Sequence, residues 1–80
     1  MRNNIKRFIL HKLDRCGYWG SRHTSFDNLM KSLPSHLKGE AKKVAKELIK
    51  DGFLLRKPTK YGLEVSLNPK KHKEIMDITK

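Results

Sequence analysis

Between residues 37 and 50, apolar residues recur at every third or fourth position, which is the spacing of one buried face of an α-helix. Glycine and lysine fall on the opposite side when each residue advances by ~100°. The pattern predicts a helix over 37–50, about 21 Å long at ~1.5 Å per residue. The predicted buried positions are Leu37, Ala41, Val44, Ala45, Leu48 and Ile49, and the predicted outward positions are Gly39, Lys42, Lys43, Lys46 and Lys50.

Two further helices are predicted before this one, also from apolar residues at helical spacing. Gly17 follows the first and suits a left-handed C-terminal stop. The second begins at a capping Thr24 or Ser25 and ends at Pro34, which cannot continue a helix. The first helix, over 4–15, is predicted to bury Ile5, Phe8, Ile9 and Leu13, and the second, over 25–33, to bury Phe26, Leu29, Met30 and Leu33.

After Gly52 the apolar positions alternate, which is typical of β-strands with one buried face. Two strands are predicted over 53–57 and 63–67, joined by a turn that Pro58 fixes. The two strands therefore form a small hairpin directly after the third helix. In the second strand Leu63, Val65 and Leu67 are predicted to be buried, and Glu64 and Ser66 to face water.

The last predicted helix covers 69–78, with Asn68 as its cap and Pro69 at its first position. Its apolar side either closes the domain's own core or forms a two-fold interface with another copy, as in a homodimer. Eighty residues fit one domain, 1–80, with the order helix, helix, helix, hairpin, helix. This order predicts an α+β, mainly helical fold of the winged helix-turn-helix type: three helices, a two-stranded wing and a short C-terminal helix.

The charge of the chain points to a polyanionic partner. It carries 19 Lys and Arg against 8 Asp and Glu, a formal net charge of +11, which raises affinity for polyanions. Between residues 38 and 60, eight basic residues oppose three acidic ones, for a local net charge of +5. Such lysines displace counterions from phosphates, although on an ordinary helix they form only a solvated face. Because these lie on a helix that precedes a hairpin, we predict nucleic acid as the partner.

The candidate DNA-binding residues lie in three segments: the start and outward face of the third helix, the hairpin, and the start of the second helix. Side chains at the start of a recognition helix approach base edges, and Gly39 permits close approach there. Hairpin residues reach phosphate or the minor groove, and exposed N–H groups at a helix start suit phosphate. The set is Arg22, His23, Thr24, Ser25, Ser35, His36, Lys38, Gly39, Lys42, Lys43, Lys46, Lys57, Thr59 and Lys60.

Structural roles compete at several positions. Ser35 can instead cap the third helix, as Thr24 or Ser25 can cap the second. We expect Tyr61 to pack at the base of the wing, although it can also stack on a base or a sugar. We expect Trp19 to cover one end of the core rather than to anchor a partner protein.

No pattern in the sequence points to a metal site or to catalysis. Cys16 is the single cysteine and the four histidines are scattered, so zinc is not predicted and no intrachain disulfide can form. Without a glycine-rich phosphate loop, paired carboxylates or a Ser/His/Asp arrangement, we expect neither an enzyme nor a cofactor. The apolar cluster at 8–10 is too short for a signal peptide, and no run approaches the ~20 apolar residues of a membrane span. We therefore expect a cytoplasmic protein with no membrane partner.

Four runs in the sequence together resemble one family of proteins. They are GSRHTSFDNL at residues 20–29, LPSHLKGEAKK at 33–43, KPTKYG at 57–62 and SLNP at 66–69. They resemble a small, largely uncharacterised family of archaeal winged-helix proteins, over nearly the whole chain after the first helix. The resemblance implies a winged-helix fold and DNA binding, and it brings no operator, effector or catalytic residue.

The sequence therefore predicts a winged-helix protein that binds double-stranded DNA, as a transcriptional regulator or a chromosome-associated protein. Its third helix is expected in the major groove and its hairpin on the flanking backbone. The alternatives are an RNA-binding or ribosome-associated protein and a protein-interaction module, because a fold does not determine function. An exposed apolar patch would indicate the interaction module.

Overall fold

A computed structural model describes the backbone of residues 2–80 and the side chains of residues 4–80. Over this range the chain forms four α-helices and one three-stranded antiparallel sheet, which confirms the α+β, mainly helical class. The elements in chain order are α1 (Arg2–Arg15), β1 (Thr24–Ser25), α2 (Phe26–Lys31), a first 3₁₀ turn (Ser35–Leu37), α3 (Lys38–Lys50), β2 (Leu54–Thr59), β3 (Gly62–Leu67), a second 3₁₀ turn (Pro69–Lys71) and α4 (His72–Thr79).

The two longest helices end in the same kind of turn. After α3, the N–H of Phe53 donates to the carbonyl of Leu48 at 2.9 Å, and the N–H of Gly52 donates to that of Ile49 at 3.2 Å. These two bonds satisfy carbonyls at the helix end and require a left-handed residue. Gly52 has φ +86°, and Gly17 after α1 has φ +74°, as predicted for that stop. The turn at Gly52 directs the chain from α3 straight into β2.

The second helix is shorter than predicted. Ser25 caps α2 by accepting a hydrogen bond from the N–H of Asn28 at 3.0 Å, but the helix ends at Lys31 rather than at 33. The hydroxyl of Ser32 donates to the carbonyl of Leu29 at 2.6 Å, and such local bonds compete with helix continuation. The residue before a proline is also disfavoured in helical geometry, so the helix ends two residues before the predicted end at residue 33.

The wing turn is tighter than predicted. β2 and β3 pair in register from Leu54 opposite Leu67 to Thr59 opposite Gly62, which leaves two residues in the turn. Pro58 does not fix this turn, because it lies within β2 opposite Leu63. Since β3 is central and β2 is an edge strand, a proline is tolerated there.

The sheet contains a strand that the sequence did not predict. β1 pairs with β3, with Thr24 opposite Val65, and so makes β3 the central strand. The prediction that Ser66 faces water is also wrong, because Ser66 is 2% exposed. The loop before β1 covers it, and the Ser66 hydroxyl donates to the carbonyl of Gly20 at 2.9 Å.

The helices and the sheet enclose one hydrophobic core. α1 packs against α3 and α4, while α2 packs against β3 and α3. The predicted stripe of α3 is buried at its four central positions and partly buried at its ends, Leu37 and Ile49. Ile75 of α4 is fully buried, so the apolar side of α4 closes the domain's own core. The core residues are Ile5, Ile9, Leu10, Leu13, Leu29, Met30, Leu33, Ala41, Val44, Ala45, Leu48, Leu54, Val65, Leu67 and Ile75.

The loop after α1 also packs on the core. Tyr18 and Trp19 are partly buried against it, which confirms the covering role predicted for Trp19. The indole Nε1 of Trp19 donates to Oδ1 of Asp14 at 3.1 Å, and its ring lies 5.1 Å from that of His72. None of the helices in the described part of the chain has the length and apolar character needed to span a membrane.

Candidate nucleic-acid interface

The outward face of α3 is cationic. Lys42, Lys43, Lys46 and Lys50 are all exposed, opposite the buried stripe that fixes the helix to the core. The 13 residues of α3 span about 20 Å at ~1.5 Å per residue, a length that can lie along a DNA groove. Glu47 is also exposed and lies four residues after Lys43, so the face is not uniformly positive.

The start of α3 presents a second group of candidates. Ser35 and His36 are exposed within the first 3₁₀ turn, and Lys38 is half-buried as the first residue of α3. The capping role considered for Ser35 is wrong, because Leu37 occupies the N-cap position of α3 and makes no side-chain cap bond. Gly39 is exposed, and an added Cβ there would meet no atom within 4 Å, so the fold itself does not need a glycine.

The candidate lysines of the hairpin lie in strand β2 and in the turn at its tip. Lys57 and Lys60 are exposed, whereas Thr59 is half-buried. The Thr59 hydroxyl donates to the carbonyl of Gly62 at 2.7 Å and accepts from the N–H of Tyr61 at 3.2 Å. Thr59 therefore holds the turn together. The expectation that Tyr61 packs at the base of the wing is wrong, since that side chain is 91% exposed at the tip.

The third predicted segment, at the start of α2, is largely engaged in internal contacts. Arg22 is exposed, but Thr24 and Ser25 form β1, and the Ser25 hydroxyl caps α2. His23 is partly buried, with Nδ1 2.5 Å from Oε1 of Glu64. Of this segment, Arg22 is the residue with an exposed side chain for a phosphate.

The pairing of the three strands places candidate DNA-binding residues from two segments next to Glu64. Ser25 of β1 and Lys57 of β2 both lie opposite Glu64 of β3. Directly opposed side chains on one face have Cβ atoms roughly 4.5–5.5 Å apart, and His23 contacts the same carboxylate. The register therefore places the negative charge of Glu64 opposite Lys57 in the sheet. Sequence reasoning placed Glu64 on the wet face but missed this arrangement, because β1 and its register were not predicted.

Two further observations concern ligands other than nucleic acid: an apolar groove and the search for a metal site. Between α1 and the turn before α3 lies an open apolar groove of about 380 Å³, lined by Asn4, Ile5, Phe8, Leu33, Pro34, His36 and Leu37. Across residues 4–80, no group of three or more His, Cys, Asp or Glu side chains could hold a metal ion. The cationic face of α3 and the adjoining hairpin are therefore the main candidate site.

No protein-family model, no curated protein and no solved structure matches the chain.

Proposed function

We propose that the chain is a winged-helix protein that binds double-stranded DNA, as a transcriptional regulator or a chromosome-associated protein. Three helices with a short strand between the first two, and a hairpin directly after the third, are the elements of such a domain. In this proposal α3 is the recognition helix and the β2–β3 hairpin is the wing. The four sequence runs that resemble the archaeal winged-helix family support the same assignment.

The observation that carries the proposal is the division of α3 into a buried stripe and an exposed lysine face. A helix fixed to the core by one side can present the other to a major groove without a cost in folding. Its lysines supply counterion release at phosphates, which accounts for most non-specific affinity. Ser35, His36 and Lys38, at the start of α3, are the side chains closest to where base edges are read in such docking.

The hairpin supplies contacts to the flanking backbone in this arrangement. α3 packs against β2, so the lysine face and the wing belong to neighbouring elements. Lys57 and Lys60 are exposed there, and lysine contacts with phosphate fix position rather than read sequence. The role is one of binding without catalysis. A cytoplasmic location fits the exposed, unpaired thiol of Cys16.

A titration at matched salt tests the proposal. Fluorescently labelled duplex DNA, single-stranded DNA of the same sequence and a structured RNA hairpin are compared by anisotropy. We expect the duplex to bind most tightly, because α3 requires a wide major groove, which A-form RNA lacks. Tighter binding of the RNA would replace the DNA assignment by an RNA-binding role. Absence of binding to all three would favour a protein-interaction module, for which the apolar groove beside α1 is the exposed surface.

Oligomeric state is measured in the same samples by sedimentation. A homodimer would read two half-sites about 34–36 Å apart, one helical turn of DNA, whereas a monomer would cover a single site.

A further inference from the structure

The tip of the wing carries an aromatic side chain that the fold does not use. Tyr61 is 91% exposed, while the other exposed large hydrophobic residues in the described part of the chain, Phe8 and Leu55, are 42% and 40% exposed. An aromatic ring stabilises a domain when it is buried in the core, and the ring of Tyr61 contributes almost none of this stabilisation because it is in water. Its ring is therefore available to a ligand.

The backbone that carries this ring is held in a defined conformation. The turn has only two residues, and the Thr59 hydroxyl bridges it by bonds to the N–H of Tyr61 and the carbonyl of Gly62. Pro58 restricts the strand just before the turn. Because the tip is braced in this way, a ligand that stacks on Tyr61 meets a backbone already ordered, which lowers the entropic cost of binding.

The charge beside the ring fits a nucleotide. Nζ of Lys60 lies 5.9 Å from the centroid of the Tyr61 ring. An ammonium group next to an aromatic face matches a phosphate next to a base, and stacking of bases on aromatic side chains tolerates any sequence. In a fully paired duplex, however, both faces of each internal base are covered by neighbouring bases. A base that is unpaired, as at a bulge, can turn a face towards the ring.

We propose that Tyr61 stacks on an unpaired base while Lys60 contacts the adjacent phosphate, so that the protein binds duplex DNA with an unpaired nucleotide in preference to fully paired duplex. This inference rests on the proposed function, because α3 still requires a neighbouring duplex. It adds a ligand, a locally unpaired base, and a residue, Tyr61, to that interface.

The test compares two duplexes of the same sequence, one fully paired and one with a central bulge that contains the fluorescent base 2-aminopurine. Wild type, Tyr61→Ala, Tyr61→Phe and Lys60→Ala are titrated against both at one salt concentration. We expect wild type to prefer the bulged duplex and to quench the 2-aminopurine. Tyr61→Ala should lose roughly 5- to 150-fold in affinity for the bulged duplex, the equivalent of ~1–3 kcal/mol per stacked base, and keep its affinity for the paired one. Tyr61→Phe should behave as wild type, because stacking uses the ring and not the hydroxyl.

Lys60→Ala is the matched control for charge, and it should weaken both duplexes by similar factors. A bulge preference that survives in Tyr61→Ala, or that is missing in wild type while the paired duplex still binds, would overturn this inference and leave the proposed function intact. Failure of wild type to bind either duplex would overturn both.

Discussion

Raising the salt concentration should weaken duplex binding steeply, and the structure sets the size of the effect. The proposed interface has five exposed lysines that do not face Glu64: Lys42, Lys43, Lys46 and Lys50 of α3, and Lys60 of the wing tip. Arg22 and Lys57 are also exposed, but Lys57 faces Glu64 across the sheet. The number of phosphates that wild type neutralises is therefore about five to six, one for each of the five lysines and for Arg22, with Lys57 left out.

This count fixes the expected slope. Each neutralised phosphate contributes about −0.9 to the slope of log K against log salt, so the slope for wild type should lie at about −4.5 to −5.4. Between 50 and 200 mM salt, the affinity should then fall by roughly 500- to 1,800-fold. Removal of the facing carboxylate, as in Glu64→Gln, should release Lys57 for a phosphate and steepen the slope by about one unit.

The assay is fluorescence anisotropy with a labelled duplex at four or more salt concentrations, for wild type and Glu64→Gln. Circular dichroism at each concentration checks that the fold is unchanged. A slope near zero would refute electrostatic binding by this surface. A wild-type slope in the expected range with no change in Glu64→Gln would place Lys57 outside the interface.

Two predictions concern stability and are measured by denaturant unfolding. Leu48→Ala should lower the free energy of unfolding by about 2–5 kcal/mol, because Leu48 is fully buried in the centre of the α3 stripe. Lys46→Ala, on the exposed face of the same helix, is its control and should change it by less than about 0.5 kcal/mol. Equal effects of the two would mean that the buried face of α3 is assigned wrongly. Ser66→Ala should cost about 1–3 kcal/mol, since it removes the buried donor to the Gly20 carbonyl, and an unchanged unfolding midpoint would contradict this role.

The elements that the sequence predicts well are those whose signal is local and dense. In α3, six apolar residues at helical spacing define the buried side, and the structure buries that side. The hairpin was predicted from alternation and the C-terminal stop from Gly17, both of which act within a few residues. Asn68 was predicted as a cap and accepts a hydrogen bond from the N–H of Lys70 at 3.0 Å. In each case neighbours in the chain determine the conformation.

The features that the sequence did not predict depend on distant parts of the chain. β1 has only two residues, which is too short for any alternation, and it forms because β3 offers a free edge. Ser66 occupies a polar position in an alternating strand, yet the loop that carries Gly20 folds over it. Neither contact leaves a periodic signal in the sequence. Tyr61 was misplaced for the opposite reason, because an aromatic residue suggests burial and the two-residue turn keeps it in water.

The candidate site also contains features that local spacing predicts and features that depend on distant contacts. Exposure of the lysines on α3 follows from helical geometry, so the spacing of residues along the chain is enough to predict it. The contacts of Glu64 with His23 and its position opposite Lys57 and Ser25 depend on the register of three strands. A shift of one residue in either pairing would point these side chains to the other face of the sheet.

We propose that the lysine face of α3 lies against DNA, and two double mutants test this contact. Lys42→Ala with Lys43→Ala should weaken binding to every duplex and reduce any sequence preference, whereas Lys57→Ala with Lys60→Ala should weaken all duplexes by similar factors. Both should fold as wild type by circular dichroism, because all four side chains are exposed. The measurement is a comparative titration of both variants against several duplexes at one salt concentration. We expect the α3 variant to lose affinity together with sequence preference. If both folded variants bind every duplex as tightly as wild type does, this surface is not the nucleic-acid interface and the proposed function is wrong.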